Sequence, residues 1–484
     1  MPMLALTVSL FFSAFLIVQD CRRRRSVSSA VWIPTAALMV LGSRPLSVWL
    51  SGGQVHLGTQ MANDQAPSVI DELFFFGILG GSLLVVSLRR IRWRKFLGSN
   101  PALMLLYLYF AISILWSSDP IGSTKRVVKD FGLLAPAGLL LTEKDPLRAM
   151  RAVYARSAYL LLPLSVVFIR YFPALGRQYS PTGEVTATGI TTQKNSLGEI
   201  VLLSSIFLIW DYLESRPASS KFRLSQIPAN LVIFLAMGGW LLHVSQSKTS
   251  LLCVLIATFL VARSGRLLSP ILSRAVLIAV LCLPFIVLFS QKFGFLIAPL
   301  VEAVGRNMTF TGRTSIWEHI TLQTVNPLIG SGFWNFWGGP GGYKVNLEMN
   351  SVIPNAHDGY IDLYLDGGIL GLILLFMLLF SSGNRMIGLL SRDRDLNHYT
   401  RMRFAVLIVL IVYNISETTF FRVGPLWMTS LLMFVQYPAP LRAPVVEKGK
   451  GERFRRGAFT GTARSVPQPR SARTPQTSWI QILA

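Results

Sequence analysis

The sequence predicts an all-α polytopic integral membrane protein, and three observations carry that assignment. Of 484 residues, 52% are hydrophobic and only 14% are charged, whereas about 25% of residues are charged in a typical soluble domain. The apolar residues fall in blocks near the length of ~20 that a helix needs to cross ~30 Å of hydrocarbon. Those blocks do not alternate apolar and polar positions, as the strands of a membrane barrel would.

The elements follow in order. The first apolar block, Leu4 to Val18, precedes the run Arg22 to Arg25. A secretory signal carries its charges ahead of its apolar run, so this block is predicted to be a spanning helix with its N-terminus outside. Further spans are predicted at 31–50, 73–88, 101–116, 128–141, 153–171, 196–212, 228–244, 249–262, 274–290, 360–381, 404–420 and 425–437. That makes about 12–13 transmembrane helices, of which 128–141, 249–262 and 425–437 are short for a full span. Trp32, Trp49, Trp93, Trp116, Trp210, Trp240 and Trp427 fall near predicted span ends, as an interfacial aromatic belt requires.

Alternate loops are strongly basic, among them those holding Arg22 to Arg25, Arg89 to Lys95 and Arg392 to Arg403. The positive-inside rule makes these cytoplasmic. The other set, including 51–72 without a lysine or arginine, 172–195 and the long segment 291–359, is expected to face outward. Residues 1–437 thus form a transmembrane domain in which 291–359 is one large periplasmic loop. Residues 438–484 are rich in Arg, Pro, Ser and Thr, and are expected to form a basic disordered cytoplasmic tail. The net charge of +23 does not point to a nucleic-acid partner, because the cations sit between apolar blocks and in the tail. Three cysteines, two of them in predicted helices, make no disulfide framework.

Segment 291–359 is too long for a simple connector. Ser315 followed by Glu318 has the pattern of a capping box, with Ile316, Trp317 and Ile320 as an apolar stripe behind it. Such a helix would lie along the membrane face. GSGFWNFWGGPGG at 330–342 could cover a cavity or line a sugar path, or be a flexible loop. Asn355 is a plausible N-cap, which would place His357 and Asp358 in the first turn of the next helix. Asp358, Asp362 and Asp366 then share one face at i, i+4 and i+8. Charges do not face lipid cheaply, so that face should meet protein or a wet cavity. The three acids span ~12 Å of helix, too far for one ion, so no metal is expected.

Several outward cations oppose the general trend, among them Lys125, Arg126, Lys194, Lys248, Arg306 and Arg313. Lys194 and Lys248 stand where helices begin. A helix start with a nearby cation suits an anion, and the obvious one beside a membrane is a lipid-linked phosphate or diphosphate. His357 alone among the five histidines combines outward placement, a helix start and nearby acids. It is the candidate general base, with Asp358 or Asp362 orienting it or serving in its place.

Over residues 1–437 the chain resembles the superfamily of O-antigen ligases and Wzy-type polymerases, closest to the ExoQ-type exopolysaccharide polymerases. The strings that carry the resemblance are TGITTQKNSLG (188–198), SQSKTSLL (245–252), TGRTSIW (311–317), NPLIGSGFWNFW (326–337) and NAHDGYIDLYLDGGILGLILL (355–375). The resemblance implies a GT-C-like membrane glycosyltransferase. It would be metal-independent and inverting, without a cofactor, working at the periplasmic side of the bacterial inner membrane. The implied partners are an undecaprenyl-diphosphate-linked oligosaccharide, a glycan or lipid acceptor, and other polysaccharide assembly proteins. The family histidine matches His357, followed by Asp358. The family arginine opening R-x-x-x-L matches Arg313, with Trp317 in place of the leucine. A further family arginine appears here as Lys248, which keeps the charge and loses the planar fork. Arg306, Lys194, Lys248 and Arg313 are therefore candidate diphosphate-binding residues, and Asp362 and Asp366 candidate supporting ones. A lipid-linked glycan flippase is the alternative function; it would favour inverted repeats and mid-membrane charges, which the sequence does not display.

Overall fold

The computed structural model describes residues 1–53, 68–89, 91, 93–179, 185–216, 227–262, 269–288, 313–392 and 397–436. The predicted tail, Arg306 and the first part of the 291–359 loop lie outside these residues. The described residues are overwhelmingly helical. Their only strands are Arg177–Tyr179 and Val185–Ala187, paired antiparallel.

Five helices are individually long and apolar enough to cross a membrane: Pro2–Arg23, Val69–Leu88, Pro146–Tyr171, Lys194–Glu214 and Gly359–Leu390. The pair Trp93–Ser99 and Pro101–Trp116, bent by 92°, makes a sixth if it counts as one span. Shorter apolar helices cover Ser29–Leu41, Ala229–Ser245, Lys248–Ala262, Pro270–Ile286 and Pro425–Phe434. Besides 360–381, which breaks at Gly368, two predicted spans are interrupted. Residues 31–50 divide into Trp32–Leu41 and Leu46–Leu50, and residues 128–141 are shared between Pro120–Gly132 and Leu134–Leu141.

Burial separates centre from periphery. The apolar windows of Pro146–Tyr171 and Lys194–Glu214 are 83% and 72% buried, whereas those of Pro2–Arg23 and Val69–Leu88 are 17% and 11% buried. The outer helices leave Phe11, Phe15, Leu73, Phe76 and Leu84 exposed. So much contiguous apolar surface is intolerable in water and natural against lipid. At the centre, Tyr154 stacks on Phe207 with ring centroids 3.4 Å apart, and Phe110, Phe333, Phe421 and Trp427 form a second aromatic group. Arg403 donates from Nε and Nη2 to the Met433 carbonyl, at 2.8 and 2.6 Å. It thereby satisfies the C-terminal end of Pro425–Phe434 with a positive charge.

The helix Gly359–Arg392 is broken at Gly368, whose φ of +61° suits glycine. The groups freed at the break pair with segment 327–332. Ser331 and Gly332 N–H donate to the Leu365 and Asp366 carbonyls at 2.9 Å, and Ile369 and Leu370 N–H donate to the Pro327 and Leu328 carbonyls at 2.9 and 3.1 Å. A Cβ on Gly330 would meet the Asp366 backbone at 2.5 Å, and one on Gly368 the Leu328 backbone at 2.4 Å. NPLIGSG and DGGILG are thus two halves of one backbone junction.

Two capping expectations are corrected. The helix Arg313–Thr321 starts two residues before Ser315, so Ser315 is no N-cap. Its apolar side, through Ile316, Trp317 and Ile320, packs with Phe336, Val345, Ile353, Ala356 and Leu365 in a small core of the loop itself. Asn355 caps no helix either. Its Oδ1 accepts from His357 N–H at 2.9 Å, and the cap is Asp358, whose Oδ1 accepts from Tyr360 and Ile361 N–H at 2.8 and 3.0 Å.

Candidate functional site

Residues 414–424 join the helices Asn397–Tyr413 and Pro425–Phe434. Asn414 turns the chain, its Oδ1 accepting from Thr419 and Phe420 N–H at 2.8 and 3.1 Å. The starts of three helices bond this connector, and a fourth helix, Pro425–Phe434, begins directly after it. Gly359 N–H donates to the Asn414 carbonyl at 2.8 Å. Asn195 Nδ2 donates to Glu417 Oε1 at 2.7 Å. Thr249 Oγ1 lies 2.7 Å from Ser416 Oγ. Glu199 Oε1 accepts from Leu426 N–H at 2.6 Å. Helix starts carry partial positive charge, and a carboxylate at their meeting point is the natural complement.

That carboxylate is Glu417, 6% exposed. Arg313 Nη2 reaches its Oε1 at 2.8 Å, and its Oε2 stands 3.8 Å from His357 Nδ1. Burial alone would raise the Glu417 pKa, but His357 and Arg313 beside it hold the carboxyl below its usual range. Arg313 Nη1 also points to the His357 carbonyl at 3.4 Å. His357 has φ +51°, a left-handed conformation that costs a non-glycine residue about 1–3 kcal/mol and recurs at functional sites. Its Nδ1 is buried without a hydrogen-bond partner among the described residues. The 3.8 Å to Glu417 is charge-pairing distance and slightly beyond hydrogen-bond reach.

The acidic face meets protein throughout. Asp358, Asp362 and Asp366 are 0%, 2% and 5% exposed. Burial pushes the Asp358 carboxyl up to about 7, against the two backbone hydrogen bonds it accepts as a cap, and its Oδ2 has no partner among the described residues. Asp362 accepts three hydrogen bonds and faces one cation. Trp337 Nε1 donates at 2.6 Å and Ala356 N–H at 3.0 Å to Oδ1; Thr418 Oγ1 donates at 2.6 Å to Oδ2, near Arg422 Nη2 at 3.6 Å. Asp366 Oδ1 faces Phe336 N–H at 3.4 Å. The Arg422 guanidinium lies 3.8 Å over the Trp334 ring.

Of the predicted site residues, the structure therefore brings His357, Arg313, Asp358 and Asp362 together. Lys194 and Lys248 open the helices whose next residues, Asn195 and Thr249, touch the connector. Arg306 lies outside the described residues. Neither Asp358 nor Asp362 bonds the His357 ring; Glu417 is the carboxylate that faces it. Glu417, Asn195, Thr418 and Arg422 are additions that the sequence reading missed.

Residues 231–376 match the family model described as O-Antigen ligase. The chain is 26% identical over 323 residues to the exopolysaccharide production protein ExoQ of Rhizobium meliloti (strain 1021), covering 63% of this chain and 70% of that protein. Both matches support the O-antigen ligase and ExoQ-type family. The region that the family model matches runs from the Ala229–Ser245 helix through Lys248, Arg313, His357 and the break at Gly368. It stops short of Glu417. No solved structure matches the chain.

Proposed function

We propose that this membrane protein transfers oligosaccharide units from an undecaprenyl-diphosphate carrier to a glycan or lipid acceptor, at the periplasmic face of the bacterial inner membrane, in surface-polysaccharide synthesis. The family matches support a glycosyl-transferring role in polysaccharide polymerisation or ligation. The observation that carries the site is the facing of His357 and Glu417, with Arg313 on the same carboxylate, where the Lys194 and Lys248 helices begin. The basic alternate loops support the outward orientation.

In this reading His357 is the general base. An Nδ1–H directed at Glu417 leaves Nε2 free to accept a proton, and the carboxylate stabilises the imidazolium that results. The acceptor hydroxyl gives its proton to Nε2 as its oxygen bonds to the anomeric carbon. The bond from that carbon to the diphosphate oxygen breaks, the electron pair leaves with the diphosphate, and the configuration inverts. Lys194, Lys248 and Arg313, with Arg306, are assigned to the charge that grows on the leaving group. Arg313 is shared between that group and Glu417. Asp358 serves as the cap that fixes the His357 turn.

The test is His357→Ala and His357→Gln in a strain lacking the native gene, with membrane abundance followed by blot. Loss of polymer at normal abundance is expected, and near-normal glycan from either variant would end the assignment. Free acceptor accumulating in the deletion strain identifies a ligase; single repeat units identify a polymerase. A periplasm-dependent reporter fused near Gly341 should be active, and an inactive one would overturn the orientation.

A further inference from the structure

Asp362 has a placement that neither the family matches nor its own helix explains. Its Oδ1 accepts from the N–H of Ala356, the residue immediately before His357, at 3.0 Å. Its Oδ2 accepts from the hydroxyl of Thr418, the residue immediately after Glu417, at 2.6 Å. One rigid carboxylate thus touches both flanks of the His357–Glu417 pair, whose ring nitrogen and carboxylate oxygen stand 3.8 Å apart. Ala356 is held from its other side as well, its carbonyl accepting from Trp317 Nε1 at 2.9 Å. Thr418 belongs to a connector with no regular secondary structure, so its placement depends on such bonds. Trp337 Nε1 donates to Asp362 Oδ1 as well, at 2.6 Å, and Arg422 Nη2 stands at ion-pair distance from Oδ2, 3.6 Å. At 2% exposure, water does not compete for it.

We infer that Asp362 is a positioning residue that sets the distance and orientation between His357 and Glu417, with Thr418 as its hand on the connector. The inference rests on the proposed roles of those two residues. Asp362 itself lies behind the pair and touches no reacting atom. A misplacement of about 1 Å in a catalytic pair costs roughly 10²-fold in rate. Losing this bridge should therefore lower kcat more than donor binding, since none of the contacts to Asp362 comes from Lys194, Lys248 or Arg313, the described cations assigned to the diphosphate.

The experiment uses the full chain in membranes, with the lipid-linked unit extracted from the deletion strain as donor. Asp362→Asn keeps the Oδ1 acceptor for Ala356 and Trp337, but places an amide toward Thr418 and Arg422. Its kcat should fall about 10–100-fold, with the donor KM changed less than about threefold. Thr418→Val should fall in the same way, and Thr418→Ser, which restores the hydroxyl, should recover most of the rate. A merely structural role would lower abundance without this kcat-selective loss and without rescue by serine. If His357→Ala is inactive while Asp362→Asn and Thr418→Val both keep the wild-type kcat, the positioning role is wrong and the base assignment stands. If His357→Ala is active, the base assignment itself has failed.

Discussion

Two clusters of buried charge sit at opposite ends of the Lys194–Glu214 helix. Asn195 near its start bonds Glu417, and Asp211 near its end pairs with Arg24 and Arg151; they are roughly 24 Å apart by the helical rise. In the Asp211 cluster every carboxylate oxygen has a cation. Asp20 takes Arg24 at 3.2 Å and Arg156 at 2.9 Å, and Asp211 takes Arg24 at 2.7 Å and Arg151 at 3.4 Å. Arg156 lies over Trp32 and Arg151 over Trp210. These bonds tie the Pro2–Arg23 helix to the buried centre. In the Glu417 cluster, by contrast, Asp358 Oδ2 and His357 Nδ1 are left unpartnered, and His357 is held at positive φ. In the first arrangement, the staple, every carboxylate oxygen of Asp20 and Asp211 is paired, and the atom left without a partner among the described residues is a guanidinium nitrogen, Arg24 Nη1. In the second the unpartnered atoms are a ring nitrogen and a carboxylate oxygen, groups that can exchange a proton with a reactant in the proposed function.

Substitution of one acid in each cluster separates the two readings most sharply. Glu417→Gln keeps the side-chain volume and removes the charge that, in the proposed mechanism, stabilises the His357 imidazolium. Polymer formation per molecule of protein should fall by roughly 10²-fold or more. Wild-type specific activity in a stably expressed Glu417→Gln protein would place the catalytic partner elsewhere.

The next effect in size falls on the staple. Asp20→Asn leaves Arg24 and Arg156 short of their counter-charge in a buried setting, which costs about 3–5 kcal/mol when one partner of a buried pair is removed. Membrane abundance and thermal stability should drop, with specific activity of the surviving protein unchanged. A normal melting temperature in detergent would show that this network does not hold the first helix in place.

The sequence makes the helices legible because each apolar block is long, and the acidic face because three aspartates recur at helical spacing. Glu417 was hidden for a physical reason. A hydropathy window over 404–420 averages one carboxylate into a strongly apolar stretch, yet the helix ends at Tyr413 because Asn414 diverts the chain into a turn. The available signal was an acid and an arginine five residues apart, Glu417 and Arg422 in SETTFFR, between two apolar blocks; ionisable residues there mark function by default. The glycine-rich stretch at 330–342 was ambiguous because its partner, the break at Gly368, is a tertiary event. No local rule says that Ser331 and Gly332 will donate to carbonyls some 34 residues away.

A smaller effect distinguishes cap from base at Asp358. Its carboxyl is pushed up to about 7 by burial, from an ordinary value of 3.8. An acid raised in the folded state binds protons more readily folded than unfolded, so its contribution to stability is present below about pH 4 and is lost as pH rises through about 7. Asp358→Asn, an equally good cap, removes that dependence. The variant should melt higher than wild type at pH 8 by roughly a few °C, with the difference shrinking or reversing at pH 5. A wild-type advantage at pH 8 would mean that the ionised carboxylate is needed there.

The smallest expected effect is none, and it concerns metal. Three acids on one helical face invite a divalent ion, which prefers several hard oxygen ligands converging at 2.0–2.6 Å. The oxygens here are engaged separately. Asp358 Oδ1 caps its helix, both Asp362 oxygens hold donors from the loop and the connector, and Asp366 Oδ1 faces the Phe336 N–H. Among the described residues, no three His, Cys, Asp or Glu side chains are grouped to hold an ion. Arg313 on Glu417 and Arg422 beside Asp362 supply the positive charge that an ion would otherwise bring. Purified protein treated with EDTA should therefore transfer glycan at its untreated rate. Loss of activity restored by Mg²⁺ would show that the acids rearrange around an ion in the working state, and would draw the functional contrast between the two charge clusters on different grounds.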